Sequence, residues 1–248
     1  MDELEFYDKV GKLNGWDFSK LKVTTEGIKW DFYEEVTKRG KSSDILLDVG
    51  TGGGENLLRI ASSLLFLVGI DFSRGMIETA QSNYKQSKVS NVRFFQMSSD
   101  NLQFPTGFFD LISNCHAPFA SMEIARARVI KNEGLFLTQQ VSEADKLNLK
   151  EAFERGQGFG EADGALKERY IKELKSAGFT EVQSFEYDAN EYYQRAEDLI
   201  FLLKHTPIIP DFGQGEKDLD ILGSFIENNR TEKGIHTNSK RFLIIAKK

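Results

Sequence analysis

The sequence feature that most constrains the fold is a glycine-rich turn that directly follows a short apolar run. The run is Ile45-Leu46-Leu47, and the turn is Asp48-Val49-Gly50-Thr51-Gly52-Gly53-Gly54. The apolar run predicts a buried strand, and the glycines allow the sharp backbone reversal that leads into a following helix. A strand, a glycine turn and a helix in this order are typical of the first unit of a nucleotide-binding α/β sheet.

Asp71 stands at a distance from this turn that is typical of a ribose-binding acid. It ends a second apolar run, 65–70, and lies 71 − 50 = 21 residues after Gly50. In nucleotide-binding sheets, a carboxylate about 20 residues after the first glycine accepts hydrogen bonds from the ribose hydroxyls. Gly50 and Asp71 together therefore indicate a nucleoside-containing cofactor.

The spacing of the glycines argues against a dinucleotide. A dinucleotide turn reads Gly-x-Gly-x-x-Gly, which requires a third glycine at position 55. Glu55 stands there instead, and its carboxylate would repel a pyrophosphate at the helix N-terminus. Asp48, at the head of the turn, suits a ligand with a cationic end. The sequence therefore disfavours an NAD-linked dehydrogenase.

With two further segments, the turn resembles the class I S-adenosylmethionine-dependent methyltransferases, specifically methyltransferase type 11. The segments are Val68-Gly69-Ile70-Asp71-Phe72-Ser73 and Phe108-Phe109-Asp110-Leu111-Ile112, and the resemblance is closest over 44–131. It implies an α/β fold with a doubly wound, mostly parallel Rossmann-like sheet and helices on both faces. It also implies S-adenosyl-L-methionine as the cofactor and methyl transfer as the reaction.

The resemblance also implies which residues hold the cofactor. The glycine turn would approach the methionine part, Asp71 would bind the ribose, and Phe72 and Met76 would enclose the adenine ring. Asn114 would contact the amino end of the cofactor or orient the acceptor. The predicted cofactor-binding residues of the turn and the strand ends are Asp48, Gly50, Thr51, Gly52, Asp71, Phe72, Met76 and Asn114.

The adenine end departs from the family pattern. Many relatives carry an acid four residues before a leucine in the loop after the third strand, and that acid binds the adenine amino group. Counting back from Leu102 leads to Ser98, which is followed by Ser99 and Asp100. Either the serine accepts this hydrogen bond or Asp100 turns inward, so all three residues are predicted cofactor contacts.

The acceptor side is expected just past the strand near 109–114, because ligands gather at the carboxyl ends of parallel strands. His116 lies there, and its ordinary pKa suits a general base for a hydroxyl or a carbon acid. The alternative is a histidine that bonds to the scaffold. His205 is a second candidate. Cys115 has no activating partner in the sequence and is interpreted as a small buried residue.

Three regions are predicted along the chain. Residues 1–42 form an N-terminal helical extension or lid, 43–187 with 239–248 form the cofactor-binding core, and 188–238 form a cap over the active site. A structureless loop as long as 188–238 is unusual in a compact domain, so a helix is expected near 193–204. Candidate aromatic residues for lining the lid, or for sealing these regions onto the core, are Tyr7, Trp16, Tyr192, Tyr193 and Phe201.

Composition narrows the function classes. Among the 248 residues, 40% are hydrophobic and the net charge is −6, which is typical of a globular protein without a basic nucleic-acid surface. No run is long enough for a membrane helix, the N-terminus is unlike a signal peptide, and one cysteine excludes a multi-cysteine zinc site. We therefore expect a cytoplasmic enzyme without a metal site, acting on a small-molecule acceptor. The alternatives are an RNA base methyltransferase and a non-catalytic cofactor-binding regulatory module.

Overall fold

The computed structural model describes residues 3–14, 17–126 and 130–248, which form one nine-stranded sheet and the helices that flank it. The strands are β1 Val23–Glu26, β2 Ile45–Val49, β3 Phe66–Asp71, β4 Val92–Gln96, β5 Phe109–Cys115, β6 Ile130–Val141, β7 Glu181–Tyr193, β8 Arg230–Thr231 and β9 Gly234–Lys247. The helices are α1 Glu3–Asn14, α2 Phe32–Arg39, α3 Glu55–Arg59, α4 Arg74–Gln86, α5 Ser121–Arg126, α6 Leu147–Phe153, α7 Ala165–Ser176, α8 Ala196–His205 and α9 Asp218–Asn228.

The sheet is doubly wound around its central strand, β2. Its order is β1-β7-β9-β6-β5-β2-β3-β4, with the short β8 attached to β9. Strands β4, β3, β2, β5 and β6 run parallel, whereas β9, β7 and β1 pair antiparallel at one edge. The chain leaves β2 toward β3 on one side and later crosses to β5 on the other. The predicted doubly wound α/β sheet is confirmed, and the position between β2 and β5 is its topological switch point.

Helices cover both faces of the sheet, as predicted, and each face has its own apolar core. On one face, Phe32 of α2, Leu57 of α3 and Ile77 of α4 pack against the apolar side chains of β2 and β3. On the other face, Ile124 of α5 and Leu174 of α7 pack against the opposite side of the same strands. Burial on both faces explains why the parallel strands read as continuous apolar runs in the sequence.

The antiparallel edge is more extensive than the sequence indicates. The apolar pattern of the sequence predicts strands over 182–187 and 241–246 only. In the structure, β7 and β9 extend over Glu181–Tyr193 and Gly234–Lys247 and pair along their whole length. The predicted helical extension also contains a strand, β1, which pairs with Asn190–Tyr193. Most of these additional residues are polar, so they lack the apolar pattern that predicts a strand, although Ala189, Tyr193 and Ile235 among them are buried.

Residues 188–238 pack against α6. Helices α8 and α9 supply Leu199, Leu203 and Phe225 to an apolar cluster with Leu149 and Phe153 of α6. The predicted helix near 193–204 corresponds to α8. The boundaries of the three predicted regions remain predictions. No helix among the described residues is long and apolar enough to cross a membrane.

Candidate functional site

A cavity of about 630 Å³ opens at the carboxyl ends of the central strands, on the topological switch point. Its size falls within the range of small-molecule sites in proteins. The N-terminal segment, the glycine turn and the loops after β3, β4 and β5 all contribute to its wall. The lining residues are Tyr7, Ile28, Trp30, Asp31, Phe32, Tyr33, Val49, Gly50, Thr51, Gly52, Glu55, Asn56, Arg59, Ile70, Asp71, Phe72, Met76, Met97, Ser98, Ser99, Asp100, Cys115, His116, Ala117, Pro118, Phe119, Gln139 and Tyr187.

The glycine turn forms the floor of the cavity. The backbone N–H groups of Gly50 and Thr51 both donate to the carbonyl oxygen of Ile70, at 2.9 Å each. Gly50 has φ +73°, and a Cβ atom there would lie 2.3 Å from Cβ of Ala117 in the loop after β5. Only glycine meets both conditions, so the turn can pass close beneath the cavity.

Asp71 links the end of β3 to the glycine turn. Its Oδ2 accepts a hydrogen bond from the Gly52 N–H at 3.0 Å, and its Oδ1 accepts one from the Ser73 N–H at 2.9 Å. Asp71 is only 8% exposed, and this burial raises the pKa of its carboxyl against the lowering effect of the two N–H donors. The side chain lines the cavity and retains lone pairs for ligand hydroxyls.

The predicted adenine contacts lie together at one end of the cavity. Phe72 is 37% exposed and packs edge-on against Tyr7 of α1, with ring centroids 5.8 Å apart. Met76 is buried, yet it reaches the cavity wall. Ser98, Ser99 and Asp100 line the same cavity, and Ser98 Oγ accepts a hydrogen bond from the Asp100 N–H at 3.2 Å. This end therefore combines two apolar side chains with hydroxyl and carboxylate acceptors.

Asp48 is not among the wall residues of the cavity, and its predicted contact with the cofactor remains a prediction. Its carboxylate accepts hydrogen bonds from Ser113 Oγ at 2.5 Å and from Tyr33 Oη at 3.2 and 3.3 Å. Burial raises the pKa of Asp48 to about 6, although these two hydroxyl donors oppose the shift. Asp48 therefore joins α2 and β5 to β2.

Asn114 likewise bonds within the protein, and its predicted contact with the cofactor or the acceptor remains a prediction. Its Nδ2 donates to the Val49 carbonyl at 2.9 Å. Its Oδ1 accepts from Thr138 Oγ1 at 2.9 Å and from Gln140 Nε2 at 2.6 Å. The side chain is fully buried and bonded at both ends, and it fixes β5 between β2 and β6.

His116 lies in the cavity wall directly after β5, with its backbone in the left-handed region at φ +56°. Its Nε2 lies 3.0 Å from Nε2 of Gln139, whose Oε1 accepts a hydrogen bond from Trp30 Nε1 at 2.7 Å. Burial, reinforced by the positive charge of Arg241, lowers the pKa of His116 to about 3. A group of such low pKa is a weak general base at neutral pH.

Sequence reasoning did not assign a role in the cavity to several wall residues opposite the adenine end. Trp30 and Tyr187 meet there with ring centroids 4.7 Å apart, and Gln139 lies beside them. Asp31 and Arg59 form a two-point ion pair at 2.9 and 3.0 Å. One feature of the sequence could have indicated this part of the wall. Gln139 and Gln140 are two adjacent amides at the carboxyl end of an apolar strand, and a buried amide requires hydrogen-bond partners.

The predicted cap does not cover the cavity. None of the described wall residues comes from 188–238. Tyr193 is buried in the cluster around α6, Tyr192 packs against His236, and Phe201 stacks on His205 at 4.0 Å between ring centroids. These aromatics therefore seal the segment onto the fold, and His205 does not reach the acceptor side. Tyr7 does line the cavity, whereas Trp16 lies outside the described residues.

Part of this chain is similar to known methyltransferases. Residues 46–134 match the family model described as a methyltransferase domain. The uncharacterized methyltransferase YcgJ of Bacillus subtilis is 33% identical over 97 residues, which cover 37% of this chain and 38% of YcgJ. The uncharacterized protein MJ1252 of Methanocaldococcus jannaschii is 28% identical over 134 residues, which cover 54% of this chain and 49% of MJ1252. The aligned regions thus span less than half of either relative.

Solved structures share the fold at low sequence identity. YcgJ superimposes with a TM-score of 0.59 at 19% identity, over 87% of this chain and 97% of YcgJ. The [4+2]-cyclase SpnF has a TM-score of 0.62 at 18% identity, over 98% of this chain and 94% of SpnF. A Haemonchus contortus phosphoethanolamine N-methyltransferase, solved with phosphomonomethylethanolamine and S-adenosylhomocysteine, has a TM-score of 0.55 at 16% identity, over 99% of this chain and 57% of that one.

Proposed function

We propose that this chain, in which residues 46–134 match a methyltransferase domain, transfers the methyl group of S-adenosylmethionine to a small-molecule acceptor. The observation that carries this proposal is the position of Asp71. Its buried carboxylate joins the glycine turn and opens onto the same cavity as Phe72 and Met76. That arrangement fits a nucleoside with a ribose and a flat base.

The residues present fit the cofactor in three respects. Asp71 offers carboxylate oxygens to two hydroxyls, and the glycine turn leaves backbone exposed where side chains would intrude. Phe72 and Met76 provide apolar contact for a base. When bound, S-adenosylmethionine supplies an electrophilic methyl group on a sulfonium whose departure leaves a neutral thioether. The task of the protein is then mainly to align the acceptor and exclude water.

The rest of the cavity supports a small acceptor. Its far end is bounded by the rings of Trp30 and Tyr187 and by Ile28, which form an apolar wall. A non-catalytic module would be expected to have this end closed by 188–238 or by the N-terminal segment. Residues 188–238 pack elsewhere, whereas Ile28 and Trp30 of the N-terminal segment are part of the cavity wall. SpnF carries a different activity on a similar fold, so the proposal depends on the site and not on the fold.

The test is calorimetric titration with S-adenosylmethionine, S-adenosylhomocysteine and NAD. We expect the two adenosyl ligands to bind and NAD not to bind. Asp71→Asn removes a charged acceptor, so we expect adenosyl binding to weaken roughly ten- to a hundredfold, from about 1.5–3 kcal/mol per charged hydrogen bond. The matched control is Asp220→Asn, an exposed acid on α9 outside the cavity. No adenosyl binding by the folded wild-type protein would contradict the proposal.

A further inference from the structure

We propose that Trp30 and Gln139 fix His116 as a hydrogen-bond donor to the methyl acceptor, so that His116 is not the general base of the reaction. The inference rests on the proposed function for its acceptor, but the arrangement of the three side chains stands by itself. His116 would touch the acceptor, whereas Trp30 and Gln139 are positioning residues.

Trp30 determines the orientation of the Gln139 amide. An indole Nε1–H is only a donor, so the group 2.7 Å from it must be the amide oxygen, Oε1. The amide nitrogen of Gln139 then faces the other way, 3.0 Å from His116 Nε2 and 3.7 Å from Cys115 Sγ. Rotating the amide by half a turn would place two donors against each other at Trp30.

The amide orientation in turn determines the tautomer of His116. The Gln139 NH₂ group can only donate hydrogen bonds. His116 Nε2 is therefore the acceptor and carries no proton. The neutral ring then carries its proton on Nδ1. Among the described residues Nδ1 makes no hydrogen bond, and the side chain lines the cavity. The nitrogen available to a ligand is therefore an N–H donor.

The surroundings of His116 keep the ring neutral and in place. Its backbone N–H donates to the Gln139 carbonyl at 2.8 Å, which ties the residue to β6. Burial and the positive charges of Arg241 and Lys146 lower the pKa of the ring, and only the Asp145 carboxylate opposes them. A neutral ring whose bare nitrogen already has a donor has no free site for a proton from the acceptor.

The donor role indicates the chemical class of the acceptor. A carboxylate or an ionised enol or phenol carries no proton at neutral pH, so such a nucleophile needs no base in this position. An N–H bond to an anionic oxygen is charge-assisted and strong. In the transfer, the acceptor oxygen forms a bond to the methyl carbon, the carbon–sulfur bond breaks, and its electron pair stays on sulfur. No proton changes place.

Imidazole ¹⁵N NMR on the full chain without ligand tests the tautomer directly. We expect His116 to show a protonated Nδ1, a bare Nε2 and no titration between pH 5.5 and 8. His236 is an internal control, because its Nε2 lies 2.9 Å from Asn190 Oδ1 and should carry the proton. Single histidine-to-asparagine variants assign the three signals. A protonated Nε2, or titration of His116 near neutral pH, would overturn the proposal.

Two variants separate the positioning role from a folding defect. Gln139→Leu removes the donor to Nε2, so we expect His116 to shift toward the Nε2–H tautomer. Trp30→Phe keeps an aromatic ring but frees the Gln139 amide to rotate, and we expect a mixture of tautomers. A His116 spectrum unchanged in both folded variants would contradict the role of Trp30 and Gln139.

Sodium benzoate and benzyl alcohol serve as matched probes for the acceptor class. We expect benzoate, and not the alcohol, to shift the Nδ1–H signal of the wild-type protein. A shift by the alcohol alone, or by neither probe, would contradict the anionic acceptor. These measurements need no adenosyl ligand, so their failure is distinguishable from failure of the calorimetric test.

Discussion

At the scale of single residues, the site depends on polar groups that are not among the wall residues of the cavity. Asp48 and Asn114 lie near the ends of neighbouring parallel strands, and the side chains of both form hydrogen bonds within the protein. Burying a carboxyl group has an energetic cost, because the charged form loses its hydration. For Asp48 this cost depends on pH.

We expect Asp48 to make the protein less stable as the pH rises. Its folded-state pKa of about 6 lies above its ordinary value of 3.8, so its stabilising contribution is complete below about pH 4 and is lost as the pH rises through 6. A shift of about two units corresponds to about 3 kcal/mol. Urea unfolding of the wild type and Asp48→Asn between pH 4 and 7.5 measures this difference.

The Asp48→Asn variant serves as the reference for the pH dependence of the wild-type protein. Asparagine does not titrate, and its amide nitrogen cannot accept from Ser113 or Tyr33, so we expect an offset that is constant with pH. The free energy of unfolding of the wild type should therefore fall relative to the variant across this range. Parallel curves for the two proteins would show that Asp48 does not titrate with a raised pKa.

The sequence predicts Gly50, Asp71 and Phe72 as ligand contacts, and all three line the cavity. Gly50 and Asp71 follow from their spacing along the chain, whereas Phe72 follows from the family resemblance. Asp48 has the same polar character and lies in the same motif. What differs is the side-chain direction: successive residues of a strand point to opposite faces, and Asp48 points toward Tyr33 of α2. Helix α2 lies outside the glycine motif, so the motif alone does not predict that α2 packs against Asp48.

At the scale of secondary-structure elements, α1 closes the adenine end by packing across the start of α4. A Cβ on Gly11 would lie 2.6 Å from the backbone nitrogen of Met76, so the two helices approach as closely as glycine permits. Asp8 Oδ1 accepts from Ser73 Oγ at 2.6 Å and from the Gly75 N–H at 3.1 Å. Thr79 Oγ1 donates to the Gly11 carbonyl at 2.7 Å. This contact places Tyr7 against Phe72.

We expect Gly11→Ala to displace α1, because the new methyl group would collide with the backbone of α4. Amide hydrogen exchange should accelerate in α1 and remain unchanged in the central strands, and S-adenosylmethionine should bind more weakly. Gly223→Ala is the matched control, since that glycine is also helical and has no heavy atom within 4 Å of the added Cβ. Equal protection of α1 in both variants would refute the close contact.

Elements with a strong internal pattern were predicted almost to the residue. The sequence pattern predicts a strand over 92–96 and helices over 74–85 and 165–177. In the structure, β4 has these bounds, and α4 and α7 each differ from them by one residue. The missed strand β1 reads Val-Thr-Thr-Glu and is mostly exposed. Its conformation depends on pairing with β7, which lies far along the chain, and such a long-range pairing cannot be predicted from the local sequence.

At the scale of the whole molecule, a buried network of charges joins the parallel and antiparallel parts of the sheet. Arg241 of β9 pairs with Asp145, which follows β6, and Lys146 pairs with Glu191 of β7 at 2.7 Å. Tyr193 Oη donates to the same Glu191 carboxylate at 2.8 Å. Burial alone would raise the pKa of Asp145, but Arg241 and Lys146 hold it below its ordinary value.

We expect Arg241→Met to destabilise the protein by about 3–5 kcal/mol, because it leaves the buried Asp145 carboxylate without its main partner. The matched control is Arg74→Met, which removes an exposed pair with Glu78 at 2.8 Å and should cost less than about 1 kcal/mol. Urea denaturation of both variants at pH 7 measures the contrast. Similar losses would mean that the network contributes no more than a surface ion pair.

The pairing of β1 with β7 has a consequence for the nascent chain during translation. Val23 pairs with Tyr193, so the partner strand is synthesised 193 − 23 = 170 residues later. At 5–20 residues per second, this delay is roughly 10–30 s. Strands β2 to β5 emerge within that interval and can assemble the adenine end of the cavity first. The aromatic wall that follows β1, with Trp30, becomes anchored only when the far edge of the sheet has left the ribosome.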